Sequence, residues 1–97
     1  MEKIKRMTMT FTLSFSVEFG KDIDTLDKGV KTRLAKRLEK IKEQPELSKP
    51  LRHLHNVFSE RLENYRIIFQ VKNETNEVNL LRFVKRSDKN LKQYGYK

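Results

Sequence analysis

The chain has 97 residues and a formal net charge of +9, from 22 Lys and Arg against 13 Asp and Glu, with hydrophobic and charged residues each at 36%. That length suits one domain with a small core, and the absence of Cys excludes disulfides, thiolate metal sites and cysteine nucleophiles. No stretch approaches the roughly 18 apolar residues of a membrane span, and no signal-type apolar run follows the basic start, so a cytoplasmic protein with an anionic partner and no membrane association is expected.

Residues 1–8 lack a usable hydrophobic period and read as a flexible leader, which leaves 9–97 as a single domain ending in a basic tail. From Met9 the pattern alternates, with Met9, Phe11, Leu13, Phe15 and Val17 on one side and Thr10, Thr12, Ser14 and Ser16 on the other. That is the signature of a strand with one apolar face. Phe19, Ile23 and Leu26 then recur at helical spacing, with Glu18, Asp22 and Asp24 where carboxylates complement a helix dipole. Asp27 is placed to cap a second helix, whose apolar stripe is Val30, Leu34, Leu38 and Ile41 and whose outer face is mostly Lys and Arg. Pro45 ends it, because the residue before a proline is pushed out of the helical region.

Glu46 to Asn56, with Pro50 and both histidines, reads as a loop. Three strand-like runs follow, Val57–Leu62, Tyr65–Val71 and Val78–Val84, joined by a tight Leu62-Glu-Asn-Tyr65 connection and an Asn73-Glu-Thr-Asn76 turn. In the last run Val78, Leu80 and Val84 alternate with Leu81 and Phe83, so both faces are apolar, as suits an interior strand. The expected order is β-α-α-β-β-β, an α+β domain with two helices on one sheet face and Arg61, Arg66 and Arg82 on the other.

Charge is uneven along this order. Residues 1–48 hold 11 basic and 8 acidic side chains, residues 49–97 hold 11 and 5, and in the last sixteen only Asp88 opposes six cations. Arginines aligned across neighbouring strands repel unless an anion or carboxylate lies between them. Two readings stand at this point: ion pairs from Arg66 to Glu60 or Glu63, or a phosphate site. Guanidinium groups hold phosphate oxygens bidentately and stabilise the extra charge of a pentacoordinate phosphorus, so Arg61, Arg66, Arg86 and Lys85 suit metal-free RNA cleavage by 2′-OH attack. His53 and His55 lack further ligands at metal spacing, no glycine cluster cradles a nucleotide, and nothing marks a serine as activated, so neither metal nor cofactor is expected.

Pro50-Leu51-Arg52, Phe58-Ser-Glu-Arg61, Asn64-Tyr-Arg-Ile-Ile-Phe69 and Leu80–Asp88 with Lys85-Arg86-Ser87-Asp88 together resemble the RelE/ParE superfamily of type II toxins, in an order that covers Met9 to about Asn90. The resemblance implies a four-stranded antiparallel sheet and a cognate acidic, RelB-like antitoxin. It also implies one of two targets: RelE-like members cleave mRNA in the ribosomal A site, and ParE-like members inhibit DNA gyrase. Residue by residue, Arg66 matches the family's phosphate-stabilising Arg, Arg86 a second catalytic Arg, and Arg61 a recurrent basic strand position. Lys49, Arg52, Arg82, Lys85 and Lys89 complete the expected RNA-contacting set.

The chain departs from the pattern at several places. Sheet positions that carry lysines in RelE-like enzymes fall on Val57 and Ser59, and the general-base Glu of the YoeB-like branch falls on Lys49. Asn90 stands where the catalytic Tyr often lies, leaving Tyr94 or Tyr96 as the acid or base. The favoured expectation is a ribosome-dependent mRNA endonuclease that inhibits translation, with mRNA and the ribosome as partners. The alternatives are a gyrase-directed toxin and a non-nucleolytic homologue.

Overall fold

In the computed structural model, which describes residues 11–51 and 54–87, the first strand β1 spans Thr12–Phe15. The start of the expected run at Met9, like the leader 1–8, lies outside the described residues. Its far end is shorter than alternation predicts, because Ser16 leaves the strand and caps helix α1 (Val17–Asp24). Ser16 Oγ accepts from the Phe19 amide at 3.0 Å and donates to the Leu81 carbonyl at 2.8 Å. Val17 therefore starts a helix at 70% exposure, and Phe15 is 53% exposed with its ring edge against Phe19. A Ser16→Ala variant loses both hydrogen bonds and should unfold about 1–2 kcal/mol more easily in urea. An unchanged midpoint would show that neither bond contributes.

Helix α2 (Lys28–Glu43) begins as expected, with Asp27 Oδ1 accepting from the Val30 amide at 2.9 Å. Leu34, Leu38 and Ile41 are buried and Val30 packs beside them, so the apolar stripe faces the sheet. Gln44 ends the helix and Pro45–Leu47 forms a 3-10 turn. No helix among the described residues is long and apolar enough to cross a membrane.

The expected loop from Glu46 to Asn56 contains a further strand, β2 (Lys49–Pro50). Then come β3 (Val57–Leu62), β4 (Tyr65–Lys72) and β5 (Glu77–Lys85), in a sheet ordered β1-β5-β4-β3-β2. β1 runs parallel to β5, with Thr12 opposite Glu77, and every other pairing is antiparallel. The expected four-stranded antiparallel sheet is thus corrected to a five-stranded mixed one, while the α+β class and the order of the helices and main strands hold. A two-residue strand leaves no periodic signal, and alternation says nothing about strand direction. Pro50 is tolerated in β2 because an edge strand has amides that need no ladder partner.

One sheet face joins the helices through Phe19, Leu34, Leu38, Ile41, Phe58, Ile67, Phe69, Val78, Leu80 and Phe83. The opposite face has its own small core, in which Leu51 and Leu54 from the β2–β3 connection pack on Val57, Ile68, Leu81 and Val84. A bulge reshapes β5: Ile68 pairs with Arg82 and Phe69 with Leu80, leaving Leu81 as the extra residue. Without that extra residue Leu80 and Phe83, three apart, would point to opposite faces. With it, both join the helix-side core, and Val84 moves to the face that holds Leu81, reversing the alternation expected for this strand.

Candidate nucleic-acid interface

Arg61 and Arg66 stand directly opposite each other in the β3–β4 ladder, and Val84 of β5 follows in the same row. Directly opposed residues have Cβ atoms about 4.5–5.5 Å apart, so two guanidinium groups share one patch of sheet. The patch belongs to the face away from the helices, since the alternate residues Leu62, Tyr65 and Ile67 join the helix-side core. Arg61 is exposed and Arg66 partly so.

The two carboxylates near this pair, Glu60 and Glu63, are held by helix α2. Arg37 Nη1 donates to Glu60 Oε2 at 2.8 Å and to the Arg61 carbonyl at 2.5 Å, while Ser48 Oγ donates to Glu60 Oε1 at 2.9 Å. Arg33 forms an ion pair with Glu63. One helix thus holds the backbone of β3 at Arg61 and draws nearby negative charge to its own side of the sheet. Both carboxylates therefore have a cation of α2 as a partner.

Arg86 joins this patch through the backbone. Its amide donates to the Asn64 carbonyl at 2.7 Å, which ties the end of β5 to the tip of the β3–β4 hairpin. Glu63, in that tip, has φ 56°, a conformation that costs residues other than Gly about 1–2 kcal/mol. Lys85 and Arg86 are both exposed there. Lys49, on β2, pairs with Ser59 and is also exposed, one row along from Arg61.

Arg82 goes elsewhere. Its Nε and Nη2 donate to the two carboxylate oxygens of Asp22 at 2.8 and 3.0 Å, and Asp22 Oδ2 also accepts from the Phe83 amide at 2.8 Å. Asp22, expected to complement the α1 dipole, instead fastens that helix to β5 at the bulge. Arg52, Lys89, Asn90, Tyr94 and Tyr96 lie outside the described residues, as does His53. Among the described residues no group of three His, Cys, Asp or Glu side chains is placed to hold a metal ion. The sequence does not announce that Asp22, Arg37 and Ser48 tie helices and loop to the sheet, because their partners lie 12 to 61 residues away.

A mixed sheet, two helices on one face and arginines gathered at one hairpin end define a small basic α+β protein with a cationic end to its sheet. A family model described as the ParE toxin of the type II toxin-antitoxin system parDE matches residues 13–90, and the chain belongs to this family of the RelE/ParE superfamily. Among solved structures it is similar to the toxin of the intact E. coli RelBE toxin-antitoxin complex, at 27% identity and TM-score 0.72 over 80% of this chain and 99% of that one. The RelBE2 complex of Mycobacterium tuberculosis matches at 26% identity and TM-score 0.71, over 81% of this chain and 94% of that chain. Isolated E. coli RelE matches at 25% identity and TM-score 0.72, over 86% and 92%. No curated protein matches the sequence significantly.

Proposed function

We propose that this type II toxin cuts mRNA on the ribosome by metal-free attack of a 2′-OH on its own phosphodiester. The observation that carries the reading is the placement of Arg61 directly opposite Arg66, with Arg86 tied to the same hairpin end. Two guanidinium groups side by side present paired donors that match the oxygens of one phosphate. Arg66, on the central strand, holds the scissile phosphate and stabilises the charge that builds on it. Arg61 and Arg86 flank it, and Lys49 and Lys85 guide the backbone on either side. Proton transfer is assigned to the tail, with Tyr94 as the group. Arg82 is left out of the RNA-contacting set, because its guanidinium lies against Asp22.

The partners follow from charge and from the relatives, several of which are complexes with RelB antitoxins. An acidic antitoxin would mask the basic patch. A groove of about 560 Å³ between α2 and β3, lined by Ile41 and Leu47 with Arg37, Lys40, Glu43 and Glu60 around them, suits an amphipathic segment of it.

A second reading, inhibition of DNA gyrase, is favoured by the ParE match and by Val57 and Ser59 at positions where RelE-like enzymes carry lysine. Expression without an antitoxin should arrest growth, and primer extension on ribosomal mRNA should then reveal A-site cuts. Growth arrest without cuts, together with loss of supercoiling activity of purified gyrase, would establish the second reading. Unaffected growth would overturn both.

A further inference from the structure

At the end of the sheet, beside the arginine patch, Asn64, Tyr65, Lys85, Arg86 and Ser87 line a recess of about 460 Å³. Tyr65 and Lys85 are directly opposite in the β4–β5 ladder. The Tyr65 ring stacks on Phe83, with centroids 4.6 Å apart and planes 14° apart. Phe83 is 2% exposed and Tyr65 is partly exposed, so the stack runs from the core outward and ends in the recess. An aromatic ring fixed by a buried ring beneath it is a rigid platform that loses little entropy on binding. The hydrogen bond from the Arg86 amide to the Asn64 carbonyl holds the rim in place before any ligand arrives.

The composition of the recess narrows the ligand. An inorganic anion would use Lys85 and Arg86 but has no use for an aromatic platform. A peptide carboxylate would meet the cations and, through its backbone, Asn64 and Ser87, but brings no flat face of its own to the ring. A nucleotide uses all of these features, with its base on the ring, its edge against Asn64 and Ser87, and its phosphate at the two cations.

We propose that this recess is a nucleotide subsite for single-stranded RNA, with Tyr65 stacking on the base next to the phosphate held by Arg66 and Arg86. The inference rests on the RNA-cleaving reading above and adds to it a base-binding residue. Arg66 and Tyr65 are neighbours on β4 and face opposite sides of the sheet. The bound strand therefore turns over the end of the hairpin, and Arg86 sits where it crosses. That bend separates the base from the next one along the strand and exposes the phosphate between them.

The test uses a fluorescein-labelled 2′-O-methyl trinucleotide, which binds but has no 2′-OH to attack, titrated by anisotropy against the full chain. Tyr65→Leu should weaken binding roughly tenfold, whereas Tyr65→Phe, which keeps the stacking face, should bind within about twofold of the native chain. Because Tyr65 also packs on Phe83, melting curves accompany each variant. Lys85→Glu, at an exposed position, serves as the second variant and should weaken binding at least tenfold. Native affinity in folded Tyr65→Leu or in Lys85→Glu would overturn the subsite. So would a Tyr65→Phe loss as large as that of Tyr65→Leu, which would move the contact from the ring to the hydroxyl. If these variants bind normally while Arg66→Ala does not, the subsite fails and the cleavage reading stands. If the native chain neither binds the probe nor cuts mRNA on ribosomes, both fail.

Discussion

Replacing Arg66 by alanine is expected to lower A-site cleavage of mRNA by about 10²–10³-fold, the usual cost of removing one preorganised group that stabilises transition-state charge. Arg66 sits on β4, the central strand, between β3 and β5, so its backbone is held on both sides and its guanidinium is positioned before substrate arrives. Arg66→Lys should recover only part of the loss, because an ammonium keeps the charge without the paired donors that match two phosphate oxygens. Arg61→Ala should cost less than Arg66→Ala, since Arg61 is more exposed and its strand lies nearer the sheet edge. Single-turnover primer extension with programmed ribosomes reads all three. Undiminished cleavage by Arg66→Ala would remove the assigned role. Gyrase inhibition that survives the same substitution would move the protein to the other branch of its superfamily.

Asp22→Ala should destabilise the fold by about 3 kcal/mol, because it removes a largely buried carboxylate that accepts three hydrogen bonds. The side chains of Arg82 and Asp22 are only 16% and 13% exposed, and Asp22 also accepts from the Phe83 amide, so one substitution removes an ion pair and the acceptor of a backbone donor together. The position matters because β1 pairs with β5 only from Glu77 to Leu80. Beyond Leu80 that edge of β5 is held by the Ser16 hydroxyl on the Leu81 carbonyl and by Asp22 on the Phe83 amide. For a domain of this size the loss corresponds to a fall in melting temperature of roughly 12 °C or more. A melting temperature within about 3 °C of native in Asp22→Ala would show that solvent reaches the pair and screens it.

Much of the architecture is legible in local pattern. The stripe Val30, Leu34, Leu38 and Ile41, capped by Asp27, needs only helical spacing and a carboxylate in front of it. The strands at Val57–Leu62 and Tyr65–Val71 need only alternation and a two-residue connection. Once these two strands form a hairpin, Arg61 must face Arg66, because counting outward from Leu62 and Tyr65 leaves no other register. The central pair of the candidate site was therefore readable before any coordinates.

The rest depends on contacts between distant segments. Alternation places Arg82 beside Arg61 and Arg66, and its pairing with Ile68 keeps that register, but Asp22, 60 residues earlier, takes the guanidinium. Arg86 reaches the site through a backbone bond to Asn64, which carries no side-chain signature. Glu60 and Glu63 look like partners for Arg66 in the sequence, and only the approach of α2 explains their capture by Arg37 and Arg33.

By itself, then, the sequence determined the α+β class, the order and lengths of the main elements, the two-helix core face, the basic second half and the opposed arginine pair. All of these follow from periodicity and turn chemistry within a dozen residues. Only the tertiary structure decided the parallel direction of β1, the short β2 that places Lys49, the cover of Leu51 and Leu54 over the far sheet face, and the division of the arginines between structure and site. Those choices turn on which distant groups meet, and a charged side chain has no period that announces its partner. The same guanidinium chemistry docks α1 at Arg82 and is proposed to hold phosphate at Arg66, and what separates them is the approach of Asp22 to β5.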